Sequence, residues 1–250
     1  MNSQKKNGDL IKISGDYHYN ASLSKNRVKK FWYHAKKTAI KRFLPIEVGD
    51  RVLDVGCGSG VITKFLSELV AYAIGIDGNL DAINFAKTKF EDSNCHFIHG
   101  LVDDDYKLDL SFDKIYWLEL IEHIYYNQGV KMLTNFYRIL KPGGKVFLTT
   151  PNYRSLWPLI EFLMDKFHLS NPMDKYQHVE HYNSHKLKNI IKETGFKINC
   201  LKTNCFMAPW IAPFTWKGAL MLDNLESKLT CCGSIWLLCL KKKSSDIYDN

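Results

Sequence analysis

The stretch Asp54-Val-Gly-Cys-Gly-Ser-Gly60 gives the strongest indication of how this chain folds. The apolar run at residues 51–55 leads straight into it, and a helical pattern of apolar residues begins at Val61. α/β proteins receive nucleotide-like ligands with a strand, a glycine turn and a helix in this order. The glycines let the backbone approach the ligand, and the helix N-terminus offers free N–H groups. The stretch therefore predicts an α/β fold with a ligand site at this turn.

Glycine spacing and two acidic residues narrow the class of ligand. The turn has G-x-G-x-G spacing instead of the G-x-G-x-x-G of dinucleotide-binding proteins, and Asp54 stands two residues before its first glycine. A diphosphate does not favour such an acid, whereas the ammonium group of an amino acid does. Asp77 follows the next apolar run, 21 residues after Gly56, where an acid can accept both ribose hydroxyls. A ligand with a ribose and an amino-acid end but no phosphate is indicated, and S-adenosylmethionine fits.

Four segments, in order, resemble the motifs of class I S-adenosylmethionine-dependent methyltransferases. They are VLDVGCGSG at 52–60, GID at 75–77, FDKI at 112–115 and LKPGG at 140–144. The resemblance covers roughly residues 50–151. It implies a Rossmann-like seven-stranded sheet with helices on both faces and an antiparallel last strand. It also implies an enzyme that transfers a methyl group from S-adenosylmethionine.

Apolar periodicity predicts the elements of this sheet. The alternation of predicted strands and helices indicates a parallel sheet covered on both faces. Strands are predicted at 51–55, 72–76, 95–99, 113–118, 145–150, 196–202 and 234–240, and helices at 60–69, 79–90, 128–140 and 184–193.

The chain divides into an N-terminal lid or cap segment, 1–45, and a methyltransferase domain, 46–250, with a substrate-lid insertion near 154–183. Apolar residues recur at helical spacing between residues 23 and 43, among many lysines and arginines. This pattern predicts a helical lid that packs on the main domain. A membrane surface or RNA is the alternative partner for its basic face. The polar residues 1–20 are expected to be mobile unless they fold over the ligand.

The predicted cofactor contacts lie at the carboxyl ends of the strands. Asp54 is expected to accept the ammonium group and Asp77 to hold the ribose. In many relatives a basic residue that meets the methionine carboxylate stands where Lys36 is, and an aspartate often stands at the position of Leu101. The further candidates from the glycine turn and the strand ends are Gly56, Cys57, Gly58, Gly78, Asn79, Val102 and Trp117.

A second candidate site follows the predicted fourth strand, in the segment WLELIEHI at 117–124. If this segment is helical, Glu119, Glu122 and His123 share one face. Such a group forms either a divalent-metal site or an acid–base site, in which His123 and Glu122 are the catalytic candidates. With the later His178, the order Glu-x-x-Glu-His resembles ubiquinone-biosynthesis O-methyltransferases and small-RNA 2′-O-methyltransferases. That resemblance implies Mg²⁺ or another divalent ion held by these four residues.

Two strongly apolar stretches, 156–164 and 206–216, bear on the acceptor. They form either the core of the lid or an apolar pocket for a small aromatic or lipid-like molecule, with peripheral membrane contact. They contain few basic residues, which disfavours RNA. Methyl transfer to a hydroxyl oxygen of such an acceptor is the favoured function. The alternatives are an RNA 2′-O-methyltransferase, a non-catalytic cofactor-binding partner protein and a nicotinamide oxidoreductase.

Charge and cysteine content set the expected compartment. The 34 basic and 26 acidic residues give a net charge of +8, which suits an anionic partner but equally an ordinary basic protein. The 7 cysteines contain no C-x-x-C pair and are expected to be reduced thiols. The N-terminus lacks the apolar core of a signal peptide, and no apolar run approaches the ~20 residues of a membrane span. A cytoplasmic protein that does not bind DNA is expected.

Overall fold

The computed structural model describes residues 13–102, 110–166, 178–228 and 232–243. Within these ranges one mixed sheet dominates the molecule. Its strands are β1 (Arg51–Val55), β2 (Tyr72–Asp77), β3 (Cys95–His99), β4 (Phe112–Leu118), β5 (Leu140–Pro151), β6 (Lys197–Asn204) and β7 (Ile235–Lys241). The spatial order is β3-β2-β1-β4-β5-β7-β6. The pairs from β3 to β5 are parallel, whereas β7 runs antiparallel to both of its neighbours. The predicted seven-stranded sheet with an antiparallel last strand is confirmed.

Helices cover both faces of the sheet. Every predicted strand and helix is present, and the largest difference is at β5. That strand begins at Leu140 instead of residue 145, because Leu140 already pairs with Phe112 of β4. The helices are α1 (Tyr17–Ser22), α2 (Arg27–Phe43), α3 (Val61–Ser67), α4 (Leu80–Phe90), α5 (Tyr126–Ile139), α6 (Trp157–Lys166), α7 (Ser184–Lys192), α8 (Ala208–Ile211) and α9 (Trp216–Glu226).

Successive side chains of β1 enter two different cores, as the alternation of a strand requires. Leu53 belongs to the cluster on the face covered by α5 and α7. Val52 belongs to the cluster on the face covered by α2 and α3. The ligand turn that follows β1 is therefore anchored on both sides of the sheet.

The predicted lid helix is α2, which packs directly on the main sheet. It begins at Arg27 instead of residue 23, because the Asn26 side chain accepts hydrogen bonds from the N–H groups of the first turn. Much of its basic face is engaged within the molecule. The ammonium groups of Lys37 and Lys41 lie 5.0 and 5.3 Å from the centroid of the Phe65 ring. These contacts favour a lid helix that packs on the domain, and they disfavour a free basic surface. The domain boundary at residue 45 stays a prediction.

The two apolar stretches have different environments. In 206–216, Ala208 and Ala212 are buried against α2, so this stretch contributes to the core of the lid, although Phe214 is 85% exposed. The other stretch lies in the predicted insertion at 154–183 and forms α6; residues 167–177 of that insertion lie outside the described ranges. None of the helices in the described ranges has the length and apolar character needed to cross a bilayer.

Candidate active site

The turn after β1 forms the floor of the candidate site. Gly56 and Gly58 have φ angles of 73° and 51°, in the left-handed region that favours glycine. A Cβ atom on Gly58 would lie 2.5 Å from Cδ2 of His18, and one on Gly56 would lie 2.6 Å from Cδ2 of Leu120. The turn is thus enclosed between α1 and the segment after β4, and larger residues do not fit there.

Two acids flank this turn, of which Asp54 is buried and Asp77 is half-buried. The Asp54 side chain accepts a hydrogen bond from Oγ1 of Thr63 at 2.7 Å, and the residue is 2% exposed. The Asp77 carboxylate accepts the backbone N–H groups of Gly58 and Asn79, each at 2.8 Å. Burial raises the pKa of both acids, and that of Asp54 to about 7. Because a nearby cation or hydrogen-bond donor stabilises the charged form, both acids favour a ligand that brings such groups.

Lys36 supplies a positive charge at the same end of the site. Its Nζ lies 2.8 Å from Oε2 of Glu119 and 5.1 Å from the centroid of the Tyr33 ring. Burial disfavours the charged amine, but Glu119 and Tyr33 outweigh burial and raise the pKa of Lys36 above its ordinary value. Lys36 also lowers the pKa of Asp54 electrostatically. A cation and an acid therefore stand together where the sequence predicts the amino-acid end of the cofactor.

The short helix α1 covers the glycine turn and was not predicted from the sequence. The Tyr19 N–H donates to Oγ of Ser59 at 2.7 Å, and Nδ1 of His18 lies 3.1 Å from the Tyr33 hydroxyl. Burial lowers the pKa of His18 to about 4, so this imidazole is neutral near pH 7. Residues 17–20 fold over the ligand turn, the second of the two arrangements that the sequence left open.

Three further candidates lie together beyond β2. A Cβ atom on Gly78 would lie 2.9 Å from Cδ2 of Leu101, so this side chain closes over the backbone after Asp77. Asn79 caps α4 through its Oδ1, and its Nδ2 donates to the Ile13 carbonyl at 3.1 Å. Gly78 and Leu101 thus border one space, whereas the Asn79 side chain uses its hydrogen-bonding groups within the protein.

The other cofactor candidates are buried. Val102 is 2% exposed and belongs to the core on the α5 face. The Cys57 side chain faces β2, where a Cβ atom on Gly75 would lie 2.8 Å from its Sγ. Trp117 stays a predicted cofactor contact, but its side chain is fully buried in the core. Strand alternation directs it to the α5 face, where its ring centroid is 5.1 Å from that of Phe136.

Three of the four predicted metal or acid–base residues come together. Glu122, His123 and His178 each place one ligand atom within 4.8 Å of the others. Glu122 is 1% exposed and accepts a hydrogen bond from Oγ1 of Thr150 at 2.9 Å. Burial raises the pKa of Glu122 to about 7. A buried carboxylate beside two imidazoles can exchange a proton near neutral pH or coordinate a divalent ion.

Glu119, predicted as the fourth member, lies outside this group. Residues 121–123 form a single turn of 3₁₀ helix that begins only after Glu119, so the predicted helical face is not formed. Glu119 itself has a φ of 51°, which is uncommon for a residue with a side chain, and its N–H donates to the Thr149 carbonyl at 2.9 Å. Its carboxylate pairs with Lys36 instead.

Backbone and side-chain contacts hold His178 against this group. The Glu180 N–H donates to the Glu122 carbonyl at 3.0 Å, which joins the two segments. The Tyr153 hydroxyl lies 2.5 Å from Nδ1 of His178, and the Tyr153 ring stacks on His181 with centroids 4.0 Å apart. His181 therefore packs against Tyr153 and not against the group.

Comparison with known sequences identifies the relatives of this chain. Residues 28–201 match the family model described as a methyltransferase domain. The mitochondrial ubiquinone biosynthesis O-methyltransferase of Schizosaccharomyces pombe is 26% identical over 164 residues, which cover 63% of this chain and 59% of that protein. The ubiquinone biosynthesis O-methyltransferase of Nitrosococcus oceani is 35% identical over 107 residues, which cover 42% and 44%. The match therefore spans only 44–59% of the length of these two relatives.

Solved structures share the fold. A methyltransferase in complex with the Haloferax volcanii Trm112 methyltransferase activator has a TM-score of 0.64 at 19% identity, with 93% of this chain and 99% of that chain covered. Magnesium protoporphyrin IX methyltransferase from Synechocystis, solved with bound SAH (S-adenosylhomocysteine), has a TM-score of 0.60 at 14% identity, with 91% and 94% covered. At these identities the likeness establishes the architecture.

Proposed function

We propose that this protein, an S-adenosylmethionine-dependent methyltransferase that belongs to the methyltransferase domain family, transfers the methyl group to a hydroxyl oxygen of a small aromatic or lipid-like acceptor. The observation that carries the proposal is the group of Glu122, His123 and His178. It adjoins the cofactor turn, because Leu120 of the same segment packs on Gly56. A hydroxyl must lose its proton when it is methylated, and this group offers proton acceptors beside the methyl donor.

Four residues would orient the cofactor. Lys36 would bind the methionine carboxylate, Asp54 the ammonium group and Asp77 the ribose hydroxyls. Leu101 would cover the adenine side. Holding the methyl group in line with the acceptor oxygen supplies much of the catalysis, since the displacement requires alignment more than covalent help from the protein.

His123 is the candidate general base. The ordinary pKa of an imidazole lies near neutral pH, which lets His123 accept the hydroxyl proton. Glu122 lies beside it, and its ionised carboxylate would stabilise the imidazolium that forms. The hydrogen bond from Thr150 fixes the position of this carboxylate.

Glu122, His123 and His178 would also hold a divalent metal ion. One carboxylate and two imidazoles fit such an ion, and the two imidazoles favour a transition metal over Mg²⁺, which prefers oxygen ligands. When bound, the ion would lower the pKa of the acceptor hydroxyl. Glu119 could join the set only by leaving Lys36.

The surroundings of this group favour an apolar acceptor. After β5 the chain passes from Tyr153 into α6, on which Leu159 and Phe162 are 53% and 58% exposed. Leu156, just before the helix, is 42% exposed. Apolar side chains on the element that follows Tyr153 suit an aromatic ring or a lipid-like tail better than a phosphate backbone.

Transfer of labelled methyl groups tests the proposal. The protein is incubated with methyl-labelled S-adenosylmethionine and either a catechol that carries an apolar tail, its dimethyl ether, or total RNA, each with and without chelator. We expect label in the catechol product, none in the dimethyl ether, and a loss of about 100-fold or more for His123→Ala. His185→Ala, which changes an exposed histidine of α7, is the matched control and should keep full activity. Label in RNA alone would reject the small-molecule acceptor.

A further inference from the structure

Two cysteines face each other across β6 and β7, apart from the site described above. Cys200 and Cys239 are paired in the antiparallel register, directly after a β-bulge between Ile198 and Cys200, and both side chains join the core on the α2 face. Directly opposed residues of antiparallel strands have Cα atoms roughly 4.5–5.5 Å apart. A disulfide requires about 4.4–6.8 Å. The pairing and the hydrogen bond between the two side chains therefore bring the thiols close enough for a bond to form.

The two thiols differ in accessibility and acidity. Cys200 lies on β6, the terminal strand of the sheet order, and is half-buried, whereas Cys239 is 4% exposed. The Cys239 thiol lies within hydrogen-bonding reach of the Phe43 carbonyl, at 3.1 Å, and of the Cys200 sulfur. The contact with Cys239 lowers the pKa of Cys200 to about 7, while the pKa of Cys239 is raised. Cys200 thus has the properties of an attacking thiolate and Cys239 those of a resolving thiol.

We propose that Cys200 and Cys239 form a dithiol site that reacts with low-molecular-weight disulfides and closes into a cross-strand disulfide. The Cys200 thiolate attacks one sulfur of the small disulfide, a mixed disulfide forms, and the other half leaves as a thiolate. Cys239 then loses its proton to solvent and attacks the Cys200 sulfur, which releases the second small thiolate. One small disulfide is reduced to two thiols while two protein thiols are oxidised to one disulfide.

This site and the cofactor site share one row of the sheet at a distance. Cys239 pairs with Phe147, Phe147 with Tyr116, and Tyr116 with Asp54. Three steps between neighbouring strands, at about 4.8 Å each, separate Cys239 from Asp54 by about 14 Å. Binding of S-adenosylhomocysteine therefore reports whether the protein stays folded, without depending directly on the state of the two thiols.

Reaction with glutathione disulfide tests the proposal. The reduced full-length protein is incubated with it at pH 7, and intact mass and peptide mapping follow the products. We expect the intact mass to fall by two hydrogen atoms. The peptide map should contain a disulfide that joins the peptides of Cys200 and Cys239. Reaction at Cys200 should be about threefold or more faster than at Cys232, an exposed cysteine that serves as the internal control.

Two variants assign the two steps of the reaction to individual cysteines. Cys200→Ser should leave Cys239 unmodified, and Cys239→Ala should stop at a mixed disulfide on Cys200. If Cys239→Ala does not bind S-adenosylhomocysteine, the variant is not folded. The peptide map of the wild type alone then tests whether the disulfide forms. Glutathione adducts that form first at Cys232, a mixed disulfide that persists on Cys200 of the wild type, or no reaction at either thiol would each overturn the dithiol site.

Discussion

Replacing Asp54 with asparagine should stabilise the cofactor-free protein and weaken cofactor binding at the same time. Asp54 is 2% exposed, and hydrogen bonds from the side chain and backbone of Thr63 do not offset the burial that raises its pKa from 3.8 to about 7. Asparagine keeps the shape of the side chain and an oxygen that can accept the Thr63 hydroxyl, but it carries no charge. The substitution therefore removes both the cost of a buried carboxylate and the proposed partner of the cofactor's ammonium group.

The size of the effect follows from the pKa and depends on pH. The unfolded chain releases the Asp54 proton near pH 3.8 and the folded protein near pH 7, so the folded state holds the extra proton between these values. Stability of the wild type consequently falls as pH rises through this window. At roughly 1.4 kcal/mol per pKa unit, the cost is small near pH 4, about 2 kcal/mol at pH 5 and about 4 kcal/mol at pH 8. Asp54→Asn should gain stability by these amounts.

Urea unfolding of both proteins at pH 5 and pH 8, without ligand, measures this difference. Calorimetric titration then compares S-adenosylhomocysteine with 5′-methylthioadenosine, which lacks the amino-acid end. Asp54→Asn should lose about tenfold or more in affinity for the first ligand, because a hydrogen bond to a charged group is lost, and little for the second. A stability difference that is equal at both pH values would refute the raised pKa of Asp54, and an equal loss of affinity for both ligands would refute its assignment to the ammonium group.

Three further predictions concern the turn and the segment after β4. Gly58→Ala places a methyl group at a φ of 51° against His18, so thermal unfolding should show a loss of about 1–3 kcal/mol, and S-adenosylhomocysteine binding should weaken. Glu119→Gln frees Lys36 from a competing carboxylate. Calorimetry should show a several-fold gain in affinity for S-adenosylhomocysteine and no change in affinity for 5′-methylthioadenosine or Mn²⁺. A loss of Mn²⁺ affinity would instead show that Glu119 is a metal ligand. Because burial raises the pKa of Glu122 to about 7, the transfer rate should rise with pH through 7, and Glu122→Gln should make this rise less steep, since His123 still has to lose its proton; a rise of equal steepness in the variant would exclude the ionisation of Glu122.

The sheet and the cofactor turn were predictable because their signals are local. Glycines that must adopt a positive φ indicate the turn within a stretch of seven residues, and apolar runs indicate the strands on either side. Asp54 was predictable for the same reason, since its place follows from its distance to Gly56. The start of β5 was missed because the sequence LKPGG indicates the end of a helix and carries no sign that Leu140 already pairs with Phe112.

Contacts between segments far apart in the chain could not be derived this way. The packing of His18 on Gly58 depends on where α2 directs the chain that precedes it, and no spacing rule contains that information. The aromatic residues around His18 were the available signal, since polar and mobile segments contain few of them. The Tyr153 contact with His178 likewise depends on the fold of the insertion after β5.

The segment after β4 shows why a correct motif can yield an incorrect geometry. The spacing Glu-x-x-Glu-His places its side chains on one face only if the backbone is helical from Glu119 onward. Parallel pairing holds β4 extended to Leu118, so the chain must reverse at Glu119 to direct Glu122 inward, and the left-handed φ accomplishes this reversal. The carboxylate that the turn displaces is stabilised by Lys36, which is the proposed partner of the methionine carboxylate. Residues 119–123 thereby join the two halves of the proposed reaction, because one end of the segment contacts the residue that would bind the cofactor and the other carries the groups that would accept the proton.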